Sequence, residues 1–461
     1  MEIRINEDGK LLDLVEQLSR AHHVPGVAAA VIHDGAADIV VHGRPDISRD
    51  EAVEPDTIFM VGSTSKTFTA TAMMALVEQG LVRLDDMVRD HLPAFEVVDP
   101  TTLDVLTVGM LFDHRAGWLG DVDGQFGWGD DALERTVRET VGSAPQFVPA
   151  GTQMSYNNGA LLVAGLIIEK LTGGSYEDAV RELVFEPLGM VSSGFNPWEA
   201  FSRRAALGHM PPEDDEPFGR VLRSYPFPRG MNPAGGAFST IQDQVRYAAW
   251  HLDGGLADGA SPPLSEQGRL AMQRPRVEVR SALTGVGLSW LLRQHGAVPL
   301  VAHGGNVSAL YLSTLVMAPS TGTAVAVLSN SRGGGPVGDA VVAWALEERA
   351  GIPKPELRAV RGLTDELAAD YVGRYDAGQW IIDVTFQDGR LWLQNGFADA
   401  AEVSEEFRNA FLTPASPHVL VDADVIASPA NLAGTAGDFG RDEKGRVIWL
   451  RHGLRLAPRI R

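Results

Sequence analysis

The chain has 461 residues, no cysteine and a formal net charge of −21 at pH 7. That charge argues against nucleic acid or an anionic membrane surface as the main partner, because both would repel an acidic surface. The absence of cysteine excludes disulfides and thiolate chemistry, and the length together with 44% hydrophobic residues predicts a globular protein of two domains, one of them large.

The N-terminal segment is predicted to form an amphipathic helix. Its apolar side chains repeat at helical spacing, at Leu11, Leu14, Val15 and Leu18. The segment is charged from its second residue, unlike a signal peptide, and the chain contains no apolar run of the roughly 18 residues that span a membrane. We therefore expect a cytoplasmic protein with no membrane partner.

The next elements predict a sheet built from both ends of one large domain. Two apolar runs flank Asp34-Gly35, a turn sequence typical of a β-hairpin. Helices are then predicted over Thr64–Gln79, Asp131–Val141, Asn158–Leu171 and Ile241–Leu252. Strands are predicted at 285–293, 298–305, 308–318 and 322–330, followed by a helix at Val337–Arg349. This order predicts an α+β fold with one antiparallel sheet and a helical segment packed beside it.

The C-terminal part is predicted to be a separate, small β domain. A Pro-containing segment with few apolar residues, 351–366, is typical of a linker between a domain of residues 1–350 and a domain of residues 367–461. Beyond the linker, apolar and polar residues alternate around Asp388-Gly389 and again near the end of the chain, which predicts a barrel.

Ser63 and Lys66 are the first candidates for chemistry. Residues three apart share one face of a helix, so the two side chains are expected to lie side by side at the start of the helix that follows. A serine hydroxyl becomes nucleophilic when a base takes its proton, and burial together with the positive end of a helix lowers the pKa of a lysine enough for that role. The alternative is a lysine that extends from a helix end into solvent.

Two later segments contribute further candidates. Tyr156 and Asn158 lie in a turn before a helix, so that a phenol and an amide can face one site; a helix cap formed by Asn157 or Asn158 is the alternative. At the end of a predicted strand, His303 is followed by two glycines, which let another group approach the strand closely and leave a backbone N–H free to point at a developing oxyanion.

These three segments resemble the S-x-x-K, Y-x-N and H-x-G motifs of the serine β-lactamase and penicillin-binding-protein-like superfamily, in the same order. The resemblance covers about residues 10–350 and includes LFDHRAGW at 111–118, NPAGGAFST at 232–240 and GVGLSW at 285–290. The chain is most similar to the stand-alone penicillin-binding-protein-type thioesterases that cyclise nonribosomal peptides. The resemblance implies a β-lactamase/transpeptidase-like domain with a helical subdomain, followed by a lipocalin-like barrel.

The resemblance also implies a role for each matching side chain. Ser63 would attack the carbonyl carbon, and Lys66 with Tyr156 would relay its proton and later protonate the leaving group. Asn158 would hold the substrate amide or the lysine. His303 would replace the lysine of the usual third motif, so the cation that binds a β-lactam carboxylate is missing and β-lactamase activity is not expected.

The backbone is implied to supply the oxyanion hole. Its donors would be the N–H groups of Ser63 and Asn306, with Gly304 and Gly305 beside the substrate. No metal and no other cofactor is implied. The other histidines, His114 among them, lack metal-ligand spacing and are interpreted as structural.

The chemistry is better determined than the substrate. An acyl-enzyme at Ser63 is resolved either by water, as in a D-stereospecific peptidase or carboxylesterase, or by an amine of the same substrate, which gives a macrolactam. The C-terminal β domain, the lack of a signal peptide and the overall similarity favour a cyclase that releases a peptidyl thioester, possibly from a carrier protein. A binding protein without catalysis is a third reading, opposed by the intact set of candidate residues.

A basic residue of the C-terminal domain is expected to recognise the peptide, as the resemblance implies. Arg451 and Arg455 alternate onto one face of a predicted strand, and an arginine fork matches carboxylate or carbonyl oxygens. Arg455 is the preferred substrate-binding candidate. The alternative is that both arginines balance an acidic surface.

Overall fold

The structure is a computed structural model that describes residues 1–6, 9–122, 126–210, 212, 218–223, 227–256, 259–280, 282–398, 414–432 and 434–460, with Phe201 described by its backbone alone. In chain order, the strands of the first part are β1 (Glu2–Ile5), β2 (Gly26–His33), β3 (Ala36–Gly43), β4 (Phe59–Met60), β5 (Phe238–Ser239), β6 (Val277–Glu278), β7 (Gly285–Val286), β8 (Leu291–His295), β9 (Val298–Val307), β10 (Tyr311–Ala318) and β11 (Thr323–Ser329).

The main sheet joins the two ends of this part of the chain. Over the described residues its strand order is β1-β3-β2-β11-β10-β9-β8-β7-β6. β2 pairs with β11 in antiparallel register, so the predicted α+β fold with a sheet assembled from both ends is confirmed. β1 pairs in parallel with β3, an edge strand that the sequence analysis did not predict. β4 and β5 form a small separate ribbon.

Helices cover both faces of the sheet. They are α1 (Lys10–Ala21), α2 (Ser65–Glu78), α3 (Val88–His91), α4 (Val108–Phe112), α5 (Ala132–Arg135), α6 (Asn158–Thr172), α7 (Tyr176–Val180), α8 (Pro197–Phe201), α9 (Asn232–Gly235), α10 (Ile241–Asp253), α11 (Glu266–Met272) and α12 (Gly334–Trp344). Single π-helical turns extend α5, α7 and α12. Within the described part of the chain, none of the helices combines the length and the apolarity that a membrane crossing requires.

The core explains why these segments are helices. On one face of the sheet, α2 is buried at every position from Ser65 to Leu76 and lies in the largest apolar cluster together with α6 and α10. Its buried hydroxyl groups are hydrogen-bonded, as those of Thr69 and Thr71 are to Tyr176 and Tyr247. On the other face, α1 and α12 pack their apolar residues against β2 and β11. The nucleophile candidate therefore lies at the N-terminal end of a fully buried helix.

The C-terminal part is a barrel that follows α13 (Asp365–Ala368), and the predicted β domain is confirmed as a barrel. Its strands are β12 (Gly373–Asp376), β13 (Trp380–Gln387), β14 (Arg390–Phe397), β15 (Ser416–Asp422), β16 (Val425–Ala427), β17 (Gly437–Arg441), β18 (Val447–His452) and β19 (Arg455–Pro458). Each described strand pairs with the next in antiparallel register. A bridge between Tyr375 and Arg459 brings the two ends of the sheet together. The boundaries predicted at residues 350 and 366 stay a prediction.

The barrel docks on the helical domain through its last hairpin. The turn between β18 and β19 places Leu454 in the left-handed region, at φ +67°. The Leu454 carbonyl accepts the N–H of Tyr156 at 2.8 Å, and the N–H of Leu456 donates to Ser155 Oγ at 3.1 Å. An apolar residue held in this strained conformation is a common feature of functional sites. The barrel is thus attached directly to the segment that carries Tyr156.

Two local predictions were wrong. The run 285–293 is not one strand, because Gly285–Val286 pairs back on Leu291–His295 around a turn in which Ser289 has φ +59°. Arg451 and Arg455 do not share one strand, since β18 ends at His452 and β19 begins at Arg455. In both cases a residue other than glycine occupies a left-handed turn position, which alternation of apolar residues does not reveal.

Candidate active site

Ser63 lies on a turn that the chain enters through a left-handed glycine. Gly62 has φ +54°, and a Cβ on it would lie 2.8 Å from the backbone nitrogen of Asn306, so glycine suits both the angle and the space. Ser65 fixes the turn, because its Oγ donates to Gly62 O at 2.6 Å and accepts from the N–H of Ala237 at 3.0 Å.

Lys66 is fully buried, and its Nζ lies 3.0 Å from Ser63 Oγ. Nζ also donates to the carbonyl of Ala234. Burial holds the pKa of Lys66 well below its usual value, with a further lowering by Arg455 and an opposing effect of Asp121. Burial of this kind favours the uncharged amine, which is able to take the proton of a neighbouring hydroxyl.

Tyr156 is the second side chain that contacts the hydroxyl of Ser63. Its hydroxyl is hydrogen-bonded to Ser63, but burial has the larger effect and raises the pKa of Tyr156. The phenol therefore keeps its proton in the resting protein. Lys66 Nζ lies 4.9 Å and Arg455 Cζ 5.0 Å from the centroid of its ring. Arg455, and Lys66 once it has taken a proton, would favour a transient phenolate.

The two asparagines after Tyr156 have different partners. Asn157 caps α6, because its Oδ1 accepts the N–H of Ala160 at 2.8 Å, so the cap alternative holds for this residue. Asn158 Nδ2 donates to Asp121 Oδ1 at 2.9 Å. The amide nitrogen of Asn158 thus binds a carboxylate, and its predicted role in holding the substrate amide or Lys66 stays a prediction.

His303 is a neutral acceptor and not a substitute cation. Its Nδ1 lies 2.7 Å from the Gly304 carbonyl, and because a carbonyl only accepts, the proton is on Nδ1 and the lone pair on Nε2. Burial, followed by the charge of Lys66, lowers the pKa of His303 to about 3. Nε2 is buried without a hydrogen-bond partner among the described residues. His303 and Gly305 share one face of β9, so the ring lies on the side of the nucleophile turn.

β9 runs directly against the nucleophile turn. A Cβ on Gly305 would lie 1.9 Å from the Val61 carbonyl oxygen. The backbone N–H groups of Ser63 and Asn306 belong to these two segments, and their close approach agrees with the predicted oxyanion hole. The neighbouring Gly304 is on the opposite face of the strand and is exposed.

Arg455 is brought to the site by the barrel. Its Nη2 donates to Asp121 Oδ1 at 2.8 Å and its Nε donates to Oδ2 of the same carboxylate. The side chain remains 32% exposed, so the guanidinium is accessible from the cleft while it lies over the ring of Tyr156.

Arg451 has a structural role. It donates twice to the carboxylate of Asp438 and once, at 3.0 Å, to the Met154 carbonyl. The residue is 5% exposed. Of the two arginines in the tail, the structure thus brings Arg455 to the nucleophile and uses Arg451 to hold the two domains together.

Three groups at the site were missed or given another role by sequence reasoning. They are Asp121, the Ala234 carbonyl and His114, whose ring centroid is 4.6 Å from that of Tyr156. Backbone carbonyls leave no mark on a sequence, and an aspartate in a Gly-rich loop has no spacing that indicates its partner. Within the described residues, no three His, Asp or Glu side chains cluster in a way that could hold a metal ion.

Comparison with known proteins assigns the family. A family model described as beta-lactamase matches residues 11–348. Penicillin-binding protein 4 of Amycolatopsis lactamdurans is 34% identical over 351 residues, which cover 75% of this chain and 91% of that protein. The chain therefore belongs to the beta-lactamase and penicillin-binding-protein family of serine hydrolases and acyltransferases.

Two further relatives extend the comparison. The unguisins hydrolase ungD' of Aspergillus campestris is 26% identical over 351 residues, which cover 70% of this chain and 62% of that protein. The crystal structure of SurE is 25% identical and superposes with a TM-score of 0.75 over 98% of both chains. The similarity to SurE therefore includes the C-terminal barrel as well as the family domain.

Proposed function

We propose that this protein is a serine acyltransferase that forms an acyl-enzyme at Ser63 and releases a peptidyl thioester as a macrolactam. The observation that carries the proposal is the arrangement around Ser63: Lys66 and the protonated Tyr156 contact its hydroxyl, and Arg455 from the barrel lies over the ring of Tyr156. A nucleophile, a base and an acid are the set that acyl transfer requires.

The first half of the reaction transfers the acyl group to the protein. Ser63 Oγ attacks the thioester carbon while its proton passes to Lys66 Nζ, 3.0 Å away. The oxyanion that forms is stabilised by the N–H groups of Ser63 and Asn306. When the C–S bond breaks, a proton is delivered through Tyr156 to the leaving thiolate, and the acyl group remains on Ser63 as an ester.

The second half reverses these steps with a different nucleophile. An amine of the bound peptide attacks the ester carbon and gives up one proton through Tyr156 and Lys66. The C–O bond to Ser63 then breaks, and the proton returns to its oxygen. The products are a lactam and the free enzyme. Nε2 of His303 offers a lone pair, which suits an N–H of the incoming amine and would repel a carboxylate.

The barrel supports cyclisation over hydrolysis. The barrel is hydrogen-bonded to Ser155 and to the backbone of Tyr156. It also adds the guanidinium of Arg455 to a site that is otherwise formed by the family-matched residues 11–348. A fixed guanidinium fork beside Tyr156 would orient the polar groups of a folded peptide. The similarity to SurE over 98% of both chains supports a functional unit that includes this barrel.

A hydrolase acting on the same acyl-enzyme is the second candidate. The relative named unguisins hydrolase supports it, with 26% identity over 70% of this chain. In this case water replaces the amine in the second half, and the product is the linear acid. A D-stereospecific peptidase or a carboxylesterase would both react in this way.

Mass spectrometry of the product tests the proposal. The full-length protein is incubated with a synthetic peptidyl thioester that carries a free N-terminal amine, and with a matched thioester whose amine is acetylated. A cyclase gives a product one water lighter than the linear acid from the first substrate and fails to do so with the second. Linear acid from both substrates would support the hydrolase and overturn cyclisation.

Ser63→Ala is the control for the acyl-enzyme. The native protein should gain the mass of one acyl group during turnover, and the variant should gain none. If an activated ester fails to label Ser63 in the native protein, acyl transfer itself is refuted and a binding protein becomes the better reading.

A further inference from the structure

His114 lies against the segment that carries Tyr156. It is fully buried, and its ring centroid is 4.6 Å from that of Tyr156, with the two planes inclined at 40°. The His114 carbonyl accepts the N–H of Ser155 at 3.0 Å, and its Nδ1 accepts the N–H of Asn157 at 3.3 Å. One residue therefore contacts three consecutive residues of the candidate site.

These contacts fix the tautomer of His114. A backbone N–H can only donate, so Nδ1 carries the lone pair. Burial, supported by the charge of Arg455, holds the pKa of His114 well below its usual value. The ring is therefore neutral, and its proton is on Nε2.

His114 also has two features that reduce the stability of the folded protein. Its Nε2 is buried and has no hydrogen-bond partner among the described residues. Its backbone has φ +61°, a left-handed conformation that is unfavourable for a residue with a Cβ. Both features reduce stability, and such features concentrate at functional sites.

We propose that His114 is a positioning residue that sets the orientation of the Tyr156 phenol towards Ser63. The inference rests on the role of Tyr156 in the proposed acyl transfer. The ring supports one side of the phenol, and Nδ1 holds the peptide group that follows it. A protonated ring would lose the Nδ1 acceptor and add a positive charge near Lys66, so the buried neutral form is the one that performs this function.

A double-mutant cycle tests the inference. The rate of Ser63 acylation by an activated ester is measured for two single variants, each with and without Tyr156→Phe. His114→Asn keeps an acceptor near the Nδ1 position and loses the ring, whereas His114→Phe keeps the ring and loses the acceptor. With Tyr156 present, each variant is expected to slow acylation about tenfold to a hundredfold and to alter the basic limb of the pH profile. With Phe at position 156, neither His114→Asn nor His114→Phe should slow the acylation of Ser63 by more than about twofold.

His251 provides the matched control. It is also fully buried, and both its ring nitrogens lack a hydrogen-bond partner among the described residues, but it packs on Tyr247 and Trp290 and not on the site. His251→Asn should lower the melting temperature and leave the shape of the pH profile unchanged. Two variants at position 114 are used so that a folding defect in one does not remove the test.

Two results would overturn the inference, and they are distinguishable. If the His114 variants lose as much activity with Phe at position 156 as with Tyr, their effect does not pass through Tyr156. If Tyr156→Phe alone acylates as fast as the native protein, the role of Tyr156 in the proposed function fails first, and the inference fails with it.

Discussion

Arg455 of the barrel and Asp121, in the family-matched part of the chain (residues 11–348), form a bidentate ion pair near Ser63. Nη2 donates to Oδ1 at 2.8 Å, and Nε donates to Oδ2. The two residues have opposite effects on the base, since Arg455 lowers the pKa of Lys66 and Asp121 raises it. The pair therefore links the attachment of the barrel to the protonation state of the catalytic lysine.

Removing the charge of Arg455 and removing the charge of Asp121 should move the acidic limb of the kcat/KM pH profile in opposite directions. In Arg455→Ala the pKa of Lys66 rises, more of the lysine is protonated near neutral pH, and the limb moves to higher pH. In Asp121→Asn the pKa falls and the limb moves to lower pH. Below pH 7 we expect Arg455→Ala to lose about tenfold in the acylation rate with an activated ester.

Arg455→Lys is the control for charge, because it keeps the cation and loses the fork. Its limb should remain near that of the native protein. A loss in Arg455→Ala that is equal at every pH would mean that Arg455 contacts the substrate without influencing Lys66.

Replacing the buried lysine should separate activity from stability. Lys66→Met is expected to slow acylation at least about a hundredfold and to increase the free energy of unfolding at neutral pH by about 1–2 kcal/mol. The folded state lowers the pKa of Lys66, so between the folded and unfolded pKa values the unfolded chain binds the extra proton, and the gain should shrink as the pH rises towards about 10.4.

Lys170 offers the matched comparison for Lys66. It is exposed and pairs with Glu134 at 2.8 Å, and exposed pairs contribute about 0–1 kcal/mol. Thermal unfolding of Lys170→Met should show little change with pH. A Lys66→Met protein that is less stable than the native protein at pH 7 would contradict the predicted strain.

The two glycines of the third motif should respond differently to a methyl group. A Cβ at Gly305 would lie 1.9 Å from the Val61 carbonyl, whereas one at Gly304 meets a single atom at 2.9 Å. Gly305→Ala must therefore push β9 away from the nucleophile turn and is expected to lower kcat about a hundredfold, as the loss of an oxyanion donor does. Gly304→Ala should lose less than about tenfold. Equal losses measured by steady-state kinetics would argue against an oxyanion hole between these segments.

Acid should unfold the protein through its buried neutral histidines. Burial lowers the pKa of His303 to about 3 and that of His452 to about 4, whereas an unfolded histidine titrates near 6.5. Below about pH 6.5 the unfolded chain binds more protons, so stability is lost as the pH falls towards 4, by about 1.4 kcal/mol per pH unit for each such group. Denaturant titrations at several pH values should show that the free energy of unfolding falls less steeply with decreasing pH in His452→Gln than in the native protein.

Local patterns were sufficient for most of the elements and for the central pair of the site, although they missed β1 and joined β7 to β8. Ser63 and Lys66 were predicted to meet because residues three apart on a helix share a face, and this geometry does not depend on the rest of the fold. The hairpin at Asp34-Gly35 followed from the φ angles that these residues accept, and the structure has φ +48° and +75° there. The α+β order followed from periodicity alone.

Contacts between distant segments could not be read in this way. The local sequence does not distinguish Arg451 from Arg455 as a candidate for binding substrate. The hairpin turn at Leu454 separates them, so that Arg451 pairs with Asp438 and Arg455 pairs with Asp121. The interpretation of His114 as merely structural rested on its lack of metal-ligand spacing, and its contact with Tyr156 becomes visible once the chain is folded. His303 was predicted to replace the lysine of the third motif, and the burial that lowers its pKa to about 3 becomes visible once the chain is folded.

The sequence by itself therefore determined that Ser63 and Lys66, the candidates for the nucleophile and its base, lie side by side, because their geometry is set within one helical turn. The tertiary structure decided what surrounds them: the ion pair from the barrel, the carbonyl that holds Lys66, the tautomers of two histidines and the burial that lowers the pKa of the lysine. The Ala234 carbonyl is 168 residues from Lys66, and Arg455 is 334 residues from Asp121. Such contacts form only through packing of the whole chain, and the energy of a charge depends on that packing more than on its neighbours in the chain.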